Sequence, residues 1–102
     1  MAAHHALVRS KLPESLRRNG KRCTTRVAEG DELLGLLGAK LQEEVNGFLK
    51  NIGKEGLADI LEVLRALANH MQISWGEVEL ERRRKAMDLG DFEGGIVLEE
   101  AE

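Results

Sequence analysis

Leu34, Leu37, Leu41, Val45, Phe48 and Ile52 recur at steps of three and four residues. At about 100° per residue, that spacing keeps side chains on one face of an α-helix. It predicts a helix over residues 31–50, with Asp31 as its N-cap and a break at Asn51-Ile52-Gly53. Leu57, Ile60, Leu61, Leu64, Leu67, Ala68 and Met71 form a second such set and predict a helix over 54–71. A connection this short makes the two helices antiparallel neighbours. Ser74-Trp75-Gly76-Glu77 has the form of a capping box and predicts a third long helix over 74–89, ending before Gly90. Upstream, Pro13 and the stretch to Asn19, closed by Gly20, read as a short helix. Residues 1–11 read as irregular or extended, and residues 21–30 as a basic, β-branched connector. Met71 and Met87 read as core filler, Phe92 as a cap over the bundle, and Trp75 as core or subunit interface.

Acids interrupt the two long apolar patterns. Glu43 and Glu44 lie in the first; Glu55, Asp59 and Glu62 lie in the second. With the turn near residue 52, Glu44 and Asp59 fall at similar depth on opposite helices. Carboxylates gathered between helices repel one another and are costly to desolvate. A Mg²⁺ ion shared with substrate phosphates is the usual remedy. On spacing alone, a solvated face of an amphipathic helix pair is the simpler reading. Gly47 and Gly56 fall on the same side as these acids, each costing about 1 kcal/mol of helix stability relative to Ala. Replacing either by Glu is therefore expected to stabilise its helix.

Composition narrows the class. A chain of 102 residues makes one domain, residues 1–102, with room for a modest core. One Trp, two Phe and no Tyr leave that core to aliphatic residues, and so thin a core gains from oligomerisation. Leu33 and Leu36 on the first helix and Val63 on the second are apolar positions beyond a single stripe, which points to a homodimer or homotetramer. A net charge of −3 argues against nucleic acid as a partner. No apolar run reaches the length of a membrane span, and the first residues lack a signal-peptide pattern. A lone Cys23 suits a reducing, cytoplasmic setting. His4, His5 and His70 lack metal-ligand spacing with any acid.

Four segments carry a resemblance to a known family. Leu7-Val8-Arg9-Ser10-Lys11-Leu12-Pro13-Glu14 looks like an opening "LVRDKIPE", and Asn19 to Arg26 is similar to a following "GKKxxTR" stretch. Leu41-Gln42-Glu43-Glu44-Val45 and Leu57-Ala58-Asp59-Ile60-Leu61-Glu62-Val63 look like two metal-binding helices. Lys85 to Leu98, with Gly90-Asp91-Phe92 and Gly94-Gly95-Ile96-Val97-Leu98, resembles a "KxxxxGxFxxGIVL" ending. In order and spacing these segments resemble the MazG-like, all-α nucleoside triphosphate pyrophosphohydrolases, in particular small phosphoribosyl-ATP pyrophosphohydrolase-like members.

The resemblance implies an all-α bundle with an antiparallel two-helix hairpin core and a third long helix, completed by oligomerisation. It implies Mg²⁺-dependent attack of water on the α–β phosphoanhydride of a nucleotide, giving a monophosphate and pyrophosphate. Glu43 and Glu44 are then the catalytic acids, Glu44, Asp59 and Glu62 the metal ligands, and Arg9, Lys11 and Lys85 the phosphate ligands; Arg26 is a further candidate for phosphate. Three positions depart from the pattern. Gly47 and Gly56 stand where two metal-binding acids belong, and Ser10 where an Asp is usual. Glu55 is a poor substitute for an acid at 56, because one residue turns the helix by about 100°. Two functions follow: a working nucleotide pyrophosphohydrolase, or a catalytically degenerate member that binds a nucleotide or serves as a helical oligomer.

Overall fold

The computed structural model describes residues 6–102, so His4 and His5 lie outside the described residues. Four helices make up the regular structure, and no strand occurs among the described residues. They are α1 (Leu12–Arg18), α2 (Gly30–Lys50), α3 (Lys54–His70) and α4 (Trp75–Leu89). No helix is long and apolar enough to cross a membrane.

Local chemistry sets most of the boundaries. Pro13 sits in the first turn of α1, where its missing N–H costs nothing. Gly20, at φ +78°, lets the chain leave that helix, its N–H donating to the Arg17 carbonyl and the Lys21 N–H to the Leu16 carbonyl. At the start of α2, Glu29 occupies the N-cap with no side-chain bond, and Asp31 lies inside the first turn instead of capping it. There its charge still faces the positive end of the helix dipole. α3 ends in a Schellman turn: Ile73 N–H donates to the Ala68 carbonyl and Gln72 N–H to the Asn69 carbonyl. The capping box at Ser74 is complete. Glu77 N–H donates to Ser74 Oγ at 3.1 Å, and Ser74 N–H donates to Glu77 Oε2 at 3.0 Å.

α2 and α3 pack on one another, and α4 packs on α3. The seam between α2 and α3 keeps part of the expected stripes: Leu37 and Ala68 are buried, and Leu41, Val45, Phe48, Ile60 and Leu67 are half-buried. Leu37, Val63 and Ala68 are the buried apolar side chains. Leu34, Ile52, Leu57, Leu61, Leu64 and Met71 are all exposed, although each belongs to an apolar stripe. The cause lies at Gly56. With no Cβ it lets Phe48 approach closely: an ideal Cβ there would stand 2.9 Å from Phe48 Cδ1 and 3.3 Å from its Cα. α3 therefore approaches α2 closely at Gly56, and Leu57, Leu61 and Leu64 of the expected stripe are left exposed. Val63, assigned above to a surplus face, is core. Met87 and Phe92 are exposed as well, Phe92 to 99%, so neither fills or caps the bundle.

The result is an open molecule. Its extents are 60 × 31 × 24 Å and its radius of gyration is 18.1 Å, against about 13 Å for a compact domain of this length. The accessible surface is 9343 Å², whereas a compact monomer of this mass would show about 5,700 Å².

A candidate anion site between the helices

Polar residues occupy one flank of the α2–α3 pair. Lys40 and Glu44 on α2 recur one turn apart, as do Asp59, Glu62 and Ala66 on α3, so each set shares a face. Together with Leu37 and Val63 they line a cavity of about 300 Å³, and the segment Leu7–Ser10 forms its remaining wall. The N-terminal segment is pinned there by charge. Arg9 Nη2 donates to Asp59 Oδ1 at 2.6 Å, joining residues 50 apart in sequence.

Each anchored acid has a cation beside it. Lys40 Nζ lies 3.4 Å from Glu44 Oε1 and 3.5 Å from Glu43 Oε2. Lys40 and Glu44 are mostly shielded from solvent, with side-chain exposures of 25% and 21%. Their attraction is consequently less screened than that of an exposed surface pair. Glu62 contacts the same cavity with its carboxylate in no hydrogen bond or ion pair among the described residues.

The structure thus brings together Arg9, Glu44, Asp59 and Glu62. Glu43 is outside this group: its side chain is 65% exposed and it does not line the cavity. Lys11, at the N-cap of α1, and Lys85, on α4, do not line it either. Arg26 is engaged elsewhere, in a bidentate pair with Glu32 at 2.8 and 2.5 Å. Those hydrogen bonds and the Glu32 charge hold the Arg26 pKa above its ordinary value. Gly47 opens onto free space, with no atom within 4 Å of where its Cβ would stand. Lys40 was missed in the sequence reading. Its signal was there: a basic residue four positions before Glu44 on one helix face.

Mg²⁺ needs several oxygen ligands converging in near-octahedral geometry. Among the described residues, no group of three or more His, Cys, Asp or Glu side chains is placed to hold a metal ion. Glu44, Asp59 and Glu62 share the cavity, with Asp59 engaged by Arg9 and Glu44 by Lys40. Its two cations, Arg9 and Lys40, face the three carboxylates of Glu44, Asp59 and Glu62, so an anion there would have to displace Asp59 and Glu44 from them. Comparison with models of known protein families, with characterised proteins and with solved structures gives no match.

Proposed function

We propose that the chain is a MazG-like, nucleotide-binding helical protein with a degenerate metal site. In this reading α2 and α3 form an antiparallel hairpin core, completed as a bundle by a second copy of the chain. The cavity receives the phosphates of a nucleotide on Arg9 and Lys40. The observation that carries this reading is the internal pairing of the acids, Arg9 with Asp59 and Lys40 with Glu44. Gly56 supports it, because the position is a helix contact against Phe48 and has no room for an acid at this helix separation. The lone Cys23 suits a cytoplasmic protein.

A second reading keeps the enzyme: Mg²⁺-dependent hydrolysis of a nucleotide to monophosphate and pyrophosphate. It is favoured by Glu44, Asp59 and Glu62 sharing one cavity, with Glu62 unpaired. For that activity Arg9 and Lys40 must release their carboxylates to the ion and turn to the phosphates.

Titration calorimetry and pyrophosphate release separate the two. A panel of nucleoside triphosphates is tested with Mg²⁺ and with chelator, on the native chain and on Asp59→Ala. The nucleotide-binding reading expects binding without Mg²⁺, no pyrophosphate, and affinity kept or raised in Asp59→Ala, where Arg9 loses its competitor. Mg²⁺-dependent release abolished by Asp59→Ala establishes the enzyme instead. Absence of nucleotide binding under both conditions removes both readings.

A further inference from the structure

Charge is divided unevenly along this chain. Residues 9–26 hold seven cations and one acid, Glu14, whereas residues 91–102 hold five acids and no cation. Three of the seven cations are engaged: Arg9 with Asp59, Arg26 with Glu32, and Arg17 with the Cys23 carbonyl. Lys11, Arg18, Lys21 and Arg22 are exposed and make no hydrogen bond or ion pair among the described residues. Val8 and Leu12 add exposed apolar surface to the same stretch. α1 itself packs on no other helix among the described residues. This basic arm therefore offers both charge and apolar contact to something outside the helix pair.

The segment after α4 is its complement. Ile96, Val97 and Leu98 form an apolar run exposed to between 78% and 94%. Glu93 precedes the run, and Glu99 and Glu100 follow it. The segment's hydrogen bonds, from Glu93 N–H to Asp91 Oδ1 and from Gly95 N–H to the Phe92 carbonyl, stay within it. Within one copy the segment is not seated on the arm, since its apolar run is exposed and none of its acids meets a cation. We propose that residues 91–102 dock on the basic arm of a second copy of the chain, each copy giving its segment to the other's arm. Glu99 and Glu100 pair with the free cations of the arm, while Ile96 to Leu98 cover Val8 and Leu12. Such an exchange closes on itself, because the same two surfaces meet twice about a two-fold axis. Fully extended, the segment spans about 40 Å, enough to reach a neighbour. Nucleic acid is a poorer match for the arm, since the chain as a whole carries a charge of −3.

Hydrogen exchange at the amides of residues 96–100 reads this contact directly, whatever other faces associate. The full chain is compared at micromolar and near-millimolar concentration, in low and high salt. Two variants accompany it, one with Glu99→Lys and Glu100→Lys, the other with Lys21→Glu and Arg22→Glu. All four positions are exposed, so the fold is kept. In the native chain, exchange is expected to slow by about tenfold at high concentration and low salt, and to be fast in high salt. Each variant alone loses that protection, because like charges then face one another at the contact. Mixing the two variants in equal amounts restores it, since each segment meets an arm of opposite sign. Protection that is independent of concentration, and restored only when both pairs of changes share one chain, puts the contact within a copy and overturns the exchange. Fast exchange under all conditions, or protection indifferent to both variants, overturns it as well.

Discussion

Gly47 and Gly56 occupy equivalent positions in the acid pattern, yet the structure gives them opposite physical roles. Gly47 faces open space, so Glu at that position adds helix propensity without a steric cost. Gly47→Glu is expected to raise stability to unfolding by up to about 1 kcal/mol in urea denaturation. At Gly56 the added Cβ would meet Phe48 at 2.9 Å on the ring and 3.3 Å on the backbone. Gly56→Glu is expected to destabilise by about 1–3 kcal/mol, as overpacking does, outweighing the propensity gain. That reverses the expectation from sequence for position 56: a pattern of residue types shows which glycine lacks a side chain, but not which one is needed for contact. Gln72 is a second case. It sits at φ +59° in the Schellman turn after α3, a position glycine usually holds. Since left-handed backbone costs an L-residue about 1–2 kcal/mol, Gln72→Gly is expected to stabilise by roughly 0.5–1 kcal/mol, read as a raised thermal midpoint.

At the scale of elements, the helices were legible from the sequence and the seam between them only in part: Leu37 and Ala68 are buried as expected, whereas Leu57, Leu61 and Leu64 are exposed. The ends of α2, α3 and α4 fall within one residue of the expected positions, because each end is set by local chemistry: the break at Gly53, the capping box at Ser74, the stop at Gly90. Which stripe of each helix is buried depends on how closely the backbones approach, and that turns on Gly56 against Phe48. The same gap affects the site. Glu44, Asp59 and Glu62 were found by spacing, and Arg9 by resemblance. The pairing of Arg9 with Asp59, 50 residues apart, requires the fold, whereas that of Lys40 with Glu44 is one helical turn and local. α4 rests on its own chemistry more than on packing, having no fully buried residue. Its cap should therefore matter: Ser74→Ala is expected to cost about 1 kcal/mol and to lower helicity by circular dichroism. Acid should act on the same helix. The hydrogen bond from Arg82 holds the Glu79 pKa below its ordinary value. A lowered carboxylate pKa contributes stability that is fully present above the unfolded value and is lost as pH falls through the folded one. Helicity of α4 is thus expected to decline below about pH 4, less so in Glu79→Gln, which has no charge to lose.

At the scale of the molecule, the surface area and the exposed leucines motivate a test of self-association. The 9343 Å² of this chain exceeds the area of a compact monomer of its mass by about 3,600 Å². A standard protein–protein interface buries only about 800 Å² per partner, so the excess is ample for an extensive assembly. The helix geometry shows which face a second copy would cover. Leu34 and Leu49 on α2, with Leu57, Leu61 and Leu64 on α3, are exposed on the flank opposite the charged cavity. At about 100° per residue these positions form one continuous apolar face across the pair. Contiguous apolar surface on this scale is normally covered by a partner. The positions differ from the surplus leucines counted in the sequence, since Leu33 and Leu36 are half-buried and Val63 is core. A second copy placing its own face there would bury the leucines and leave the charged cavity open. Light scattering on the native chain is expected to give a mass at least twice 11.3 kDa at micromolar concentration. Leu61→Asp, which puts a charge into the middle of that face, is expected to shift the mass toward the monomer, whereas Asp59→Ala on the other flank leaves it unchanged. A native chain that is monomeric at these concentrations, or a dimer indifferent to Leu61→Asp, would falsify the assignment of this face.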